Sequence, residues 1–427
     1  MTTSETNSKS LSSLKKVSLP RQRIMGIVFL VMGVLIYWLF VPAITSDMVT
    51  TFVMNPGGID RGLVGDWVFK SLPVLTGLTI VSILAGLYQF IRGFGKATNW
   101  VLGIVVGFFV FSFLVWAAAG KSINFGGMLS GAILLSVPII LGGFSGILCE
   151  RAGVVNIAIE GMMLMASMVA ALVGSLTHNL LLGLLAGILS SMLLAWIHAV
   201  LSIKYKTNQI ISGTVINILA TGLTSYVSSK FMQVYQTQLN NPPIFPRIPI
   251  PVLADIPIIG PILFNTNIFV YLVFIILIVL QIALFKTRWG LRMRSVGEHP
   301  RAADSLGINV FRTRYMAVLL GGMVAGIGGS FFTLGSVGRF DEMMTAGKGF
   351  IGLAAMIFGN YTPLGVFGAG LLFGFADSIS TKLSILGSMI PPQFLSMAPY
   401  IVTMIVLAGV VGRGDVPAAD GEPYEKE

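Results

Sequence analysis

An all-α, polytopic membrane protein with ten to twelve transmembrane helices and both termini cytoplasmic is the fold class the sequence predicts. Three observations carry that reading. Of 427 residues, 55% are hydrophobic and only 10% are charged, whereas a soluble domain carries roughly 25% charged residues. The apolar residues gather in runs, most of them close to the about 20 residues that cross about 30 Å of hydrocarbon. The loops between runs alternate between basic and nearly uncharged, as expected when cytoplasmic loops hold the Lys and Arg. A soluble enzyme is excluded at this first step.

Residues 1–23 carry Lys9, Lys15, Lys16, Arg21 and Arg23 against one acid, Glu5, and read as a disordered basic tail on the cytoplasmic side. The apolar run 24–44 is too long for a secretory signal, and no small-residue cleavage site follows it. It reads as an uncleaved first helix. Further runs lie near 71–91, 100–119, 127–148, 152–176, 180–203, 209–230, 268–285, 315–336, 346–359, 364–381 and 396–412. The 346–359 run is short and reads as a half-helix or re-entrant segment. Four regions follow: the tail 1–23, an extra N-terminal membrane region 24–126, a main membrane domain 127–412, and a cytoplasmic tail 413–427.

Charge tests this order. The loops placed inside hold Arg92 and Lys96, then Glu150 and Arg151, then Lys204 and Lys206. The next inside loop, 286–314, holds Lys286, Arg288, Arg292, Arg294, Arg301, Arg312 and Arg314. The loop 231–267, placed outside, is proline-rich and holds only Arg247 and Asp255. The net charge of +10 follows from these loops and implies no nucleic-acid partner. The pairs Gly142/Gly146, Gly183/Gly187, Gly322/Gly326 and Gly370/Gly374 are small-xxx-small spacings that suit close helix packing.

Enzyme signatures are missing. The single cysteine, Cys149, excludes an intrachain disulfide framework or thiolate cluster, and His178, His198 and His299 have no metal-ligand spacing. No metal or cofactor is implied. The stretch Ala119-Gly120-Lys121-Ser122 looks like the end of a phosphate-binding loop, but Val115 stands where that motif needs glycine. The chain therefore cannot power anything by itself through ATP.

Two features rise above this background. In the inside loop, Pro300 suits the first turn of a helix and Gly307 suits the left-handed position after its end. Between them Arg301-Ala302-Ala303-Asp304-Ser305-Leu306 gives a helix of about two turns, roughly 10 Å long, and the two adjacent alanines give it a small, smooth face. It reads as a docking helix or as an ordinary solvated loop. The second feature is polar residues at membrane depth: Asn156, Glu160, Asn217 and Asp377. On a helix continuous from Arg151, Glu160 stands about 13 Å in, with Asn156 one turn earlier on nearly the same face. Such residues line a pathway or pair structurally, because an unpartnered charge in hydrocarbon is costly.

Glu150-Arg151-Ala-Gly-Val-Val-Asn-Ile-Ala-Ile-Glu-Gly-Met-Met-Leu164 resembles the opening motif of the nucleoside branch of ABC importer permeases. That branch belongs with the branched-chain amino acid and ribose-type permeases. The run from Gly290 to Ile308 resembles that family's ATPase-coupling loop, with Glu298-His299-Pro300 in place of the expected Glu-Asn-Pro. The stretches 344–359, 397–407 and 417–424 extend the resemblance, which covers about 127–425 and leaves the first 120 residues outside it.

The resemblance implies that 127–412 is a permease domain in the cell (plasma or inner) membrane and not an enzyme. It implies a separate ATP-binding subunit, a second and different permease chain, and an extracytoplasmic substrate-binding lipoprotein. The coupling helix would be Glu298, His299, Pro300, Arg301, Ala302, Ala303, Asp304 and Gly307. The solute would be a small molecule, a nucleoside in this branch, with simple sugars and branched-chain amino acids as alternatives within the class. An ion-coupled secondary transporter is the alternative outside it.

Overall fold

The computed structural model describes residues 5–57, 64–385, 394, 397 and 416–426. The span expected at 396–412 lies outside them apart from Met397. Ten helical stretches among the described residues are long and apolar enough to cross a membrane. The residues divide into two compact units, one up to Gly126 and one beginning at Gly127.

The first unit holds α1 (Glu5–Phe40), α2 (Ser71–Ile91) and α3 (Thr98–Ala117). The basic stretch expected as a disordered tail is largely helical, since α1 already begins at Glu5. Extending an established helix costs no new nucleus, and the span that follows supplies one. Gly26 and Gly86 bring α1 and α2 together, against Phe90 and Leu30 respectively. A small sheet closes one end of this unit: β1 (Val49–Val53) pairs antiparallel with β2 (Trp67–Lys70) and parallel with β3 (Ser122–Asn124).

The second unit opens with α4 (Phe125–Glu150), α5 (Ile159–Thr177), α6 (Leu180–Ala199) and α7 (Gln209–Val227). Next come α8 (Gln236–Leu239), β4 (Arg247–Pro249), α9 (Ile259–Leu263), β5 (Asn265–Asn267) and α10 (Ile268–Lys286). It continues with α11 (Arg288–Glu298), α12 (Pro300–Ser305), α13 (Val310–Ser330), α14 (Lys348–Phe358) and α15 (Pro363–Ile385). Polar side chains set the starts: Asn179, Asn208, Asn267, Thr287 and Asn309 each accept a first-turn amide of the helix they precede.

The loops placed inside meet one another. Val155 N–H donates to Gln209, and the backbone of Gly297 lies against Arg151. Loops placed outside also meet one another: Asn240 pairs with Phe340, and Asn241 N–H donates to Ser175. Alternate loops therefore gather in two separate groups, as the charge pattern requires.

Two sequence expectations change in the second unit, and the half-helix expected in the short run is found. The run 152–176 is not one helix, because α5 starts only at Ile159. Gly153 sits at φ +81°, and Asn156 turns its own backbone by accepting from Ala158 N–H. Asn156 and Glu160 are therefore not on one helix, and the 13 Å helical path from Arg151 does not exist. Arg314, expected in the loop, lies in the second turn of α13 and is 1% exposed. The short run contains α14, whose 11 residues span about 16 Å, half a crossing.

All four glycine pairs sit at helix contacts. A Cβ on Gly326 of α13 would lie 2.8 Å from Ile188 Cα and 3.0 Å from Ser191 Cβ of α6. Gly370 and Gly374 of α15 meet Ile140 and Ala132 of α4 in the same way. Gly222 on α7 has nothing within 4 Å of such a Cβ. Gly326→Leu should therefore lower stability by about 1–3 kcal/mol through overpacking. Gly222→Ala should be neutral or slightly stabilising. Thermal unfolding of the purified variants in detergent checks both, and equal melting of Gly326→Leu and wild type would contradict the packing.

Candidate functional site

The break between α4 and α5 exposes backbone polar groups within a membrane protein, where each needs an internal partner. Side chains of α6 and α7 provide them. His198 Nε2 donates to Val155 O at 2.9 Å, with the Ser212 hydroxyl 3.1 Å from Nδ1. Gln209 Oε1 accepts from Val155 N–H at 2.7 Å. Asn217 reaches both sides of the α5 start, donating to Ile157 O at 2.9 Å and accepting from Gly161 N–H at 2.8 Å. Asn156 is fully buried, and its amide also donates toward Cys149 Sγ at 3.3 Å.

A second break faces the first. Past α13 the helix loosens into π-type turns over Phe331–Val337, and the chain then runs without regular structure to Gly347. Gly347, at φ +77°, precedes the first turn of α14. The Glu160 carboxylate lies at that turn. Its Oε1 accepts from Thr345 Oγ1 at 2.6 Å and Gly347 N–H at 2.9 Å, and its Oε2 accepts from Gly349 N–H at 2.7 Å. A negative group suits this end of a helix, where unpaired amides and the helix dipole both favour it.

The depth follows from α4. A Cβ on Gly142 would lie 3.6–3.7 Å from Gly352, Gly349 and Ile159, so α4, α5 and α14 converge there. Gly142 stands eight residues before the end of α4, about 12 Å along it. Two helix starts thus meet well inside the apolar layer, held by one carboxylate. Close approach demands glycine at Gly349, where a Cβ would fall 2.7 Å from Glu160 backbone.

Lys348, the first residue of α14, pairs with Asp377 on α15, and both side chains are largely buried. The four polar residues predicted at depth are thereby accounted for. Asn156, Glu160 and Asn217 gather at the α5 start, and Asp377 reaches the same junction through Lys348. Sequence reasoning missed His198, Gln209, Thr345 and Lys348. His198 was visible as a lone polar residue in an apolar run, and Lys348 as a charge inside the short one.

The predicted docking helix is α12, with Pro300 in its first turn and Gly307 at φ +79° after its end. Arg301, Ala302 and Ser305 are exposed, whereas Ala303 is buried against Val296, Val310 and Tyr424. The small-residue face is therefore split between two sides. Leu306 is 82% exposed beside Ala302 and Ser305. His299 is exposed, Asp304 half-buried, and Glu298 accepts from Ala418 N–H at 3.2 Å. At the other end of the unit, a recess of about 250 Å³ is lined by Ser130, Phe245, Thr266, Asn267, Phe331 and Ser336 among others.

Comparison with known proteins agrees with this architecture. Residues 128–408 match the permease component family of branched-chain amino acid transport systems. The chain is 39% identical over 310 residues to the guanosine ABC transporter permease protein NupQ of Bacillus subtilis, covering 69% of this chain and 95% of the relative. It is 38% identical over 312 residues to the nucleoside ABC transporter permease protein NupC of Lactococcus lactis, covering 70% and 96%. NupB of the same organism, also a nucleoside ABC transporter permease protein, is 26% identical over 154 residues, 36% of this chain and 42% of that one. No solved structure matches the chain. Broken helices held together at depth thus sit in a transport protein and not an enzyme: the chain belongs to the permease family of ABC importers.

Proposed function

We propose that this chain is one of two permease subunits of a plasma-membrane ABC importer that moves nucleosides inward. The observation that carries the substrate is the pair of matches at 39% and 38% identity to guanosine and nucleoside permeases, each covering at least 95% of the relative. The second subunit is a different permease chain. Two nucleoside permease proteins of one organism, NupC and NupB, support this, since the chain matches them at 38% over 312 residues and 26% over 154. A separate ATP-binding subunit docks on α12, and an extracytoplasmic binding lipoprotein delivers the solute.

The junction of α5 and α14 borders the solute pathway, with Glu160, Asn156, Asn217 and Asp377 around it. Discontinuous helices meeting near mid-depth are a common way to build a solute site in a membrane. Here the charges are paired within the protein, which suits a neutral polar solute better than an ion. ATP binding in the partner would move α12 and, through the inside loops, the junction itself.

Two outcomes test the reading. In liposomes holding the purified complex, adenosine, guanosine and uridine should compete for uptake, whereas ribose, glucose and leucine should not. The family's description favours branched-chain amino acids as the second reading, and competition by leucine alone would select it. Ser305→Cys should crosslink to the ATP-binding subunit and resist an impermeant reagent applied to intact cells. Labelling from outside would reverse the topology and remove α12 from the ATPase interface.

A further inference from the structure

The tail after the last expected span buries some residues and exposes others. Pro417, Ala419 and Tyr424 are buried, while Ala418, Glu422 and Glu425 face solvent. Ala419 N–H donates to Gly297 O at 2.9 Å, at the end of α11. Ala418 N–H reaches the Glu298 carboxylate, and Arg314 Nη1 of α13 donates to Glu422 O at 2.8 Å. The Tyr424 ring packs 5.4 Å from that of Phe311 and closes the small core of Val296, Ala303 and Val310. Lys206, in the loop before α7, pairs with Glu425.

The same segment touches the first break. The Asp420 side chain lies beside Glu150 at the end of α4. A Cβ on Gly153 would lie 2.9 Å from Ala419 O, so the tail backbone rests on the left-handed turn that opens the 151–158 segment. Burial pushes the Asp420 carboxyl up to about 6, with the charge of Arg314 pulling the other way.

Six residues are too few to hold a helix in place by their own hydrogen bonds. The inward contact of α12 is Ala303, and the largest side chain in the core beneath it is Tyr424. We propose that residues 417–425 are a brace that fixes α12 to the membrane helices, with Tyr424 as its positioning residue. A push on α12 then passes through the tail to Glu150 and Gly153, and so to the segment that leads into the junction. The inference rests on the reading of α12 as the ATPase-docking helix. It adds a mechanical route that neither α12 nor the junction supplies alone.

The test uses the whole transporter, with its ATP-binding subunit and binding protein. Tyr424→Ala should still copurify with the ATPase and hydrolyse ATP, but move about tenfold less solute per ATP. Tyr424→Phe, which keeps the ring against Phe311 and Ala303, should restore the ratio to within about twofold of wild type. A wild-type ratio in Tyr424→Ala overturns the brace, as does failure of Tyr424→Phe to restore it. If Tyr424→Ala does not assemble, Lys206→Ala releases only the end of the tail. It should lower the ratio about two- to threefold, and no change overturns the proposal. Crosslinking of Ser305→Cys to the ATPase is measured beside these variants. Its absence rejects the docking role of α12, whereas an intact crosslink with an unchanged ratio rejects the brace alone.

Discussion

A backbone amide or carbonyl inside the hydrocarbon layer has no water to bind, so every break in a spanning helix must be answered by a side chain. That constraint organises the second unit. The segment before α5 is answered by His198, Gln209 and Asn217, and the start of α14 by Glu160. Each unmade hydrogen bond there would cost about 1–3 kcal/mol. The polar residues at depth are fixed by this need. A continuous pair of helices would need none of them and would leave nothing to rearrange.

The cytoplasmic face follows the same economy of contacts. Basic loops set the orientation, but the position of α12 depends on apolar packing by Ala303 and Tyr424. Its outward side, with Ala302, Ser305 and Leu306, is exposed. On the proposed function, orientation, placement and docking are carried by different residues. A charge change in the loop and a ring deletion in the tail should therefore disturb transport in different ways.

Much of this was legible beforehand, for identifiable reasons. Spans, and the gathering of alternate loops into two groups, were visible because hydropathy and Lys/Arg placement act locally. Pro300 and Gly307 marked α12 because each has one strong backbone preference. The break at 151–158 was hidden, since hydropathy reads apolar residues alike whether or not they are helical; Gly153 and Asn156 were the only hints. The partners of Glu160 were hidden by distance along the chain, its Gly349 contact spanning 189 residues. Asn217 and Gly161 are separated by 56. Asp377 was visible as a charge at depth, but its pairing with Lys348 depended on α14 being a half-helix. The inward turn of Ala303 could not be read without Tyr424 beneath it.

One carboxylate, that of Glu160, holds the starts of α5 and α14 together. Amide hydrogen exchange over residues 345–350 in the purified complex tests it most directly, comparing wild type with Glu160→Leu. Gly347 and Gly349 should be protected in wild type, and loss of their acceptor should speed exchange by roughly five- to 150-fold, the equivalent of about 1–3 kcal/mol. Equal protection in both proteins would contradict the account, because the α14 start would then be held by something other than Glu160.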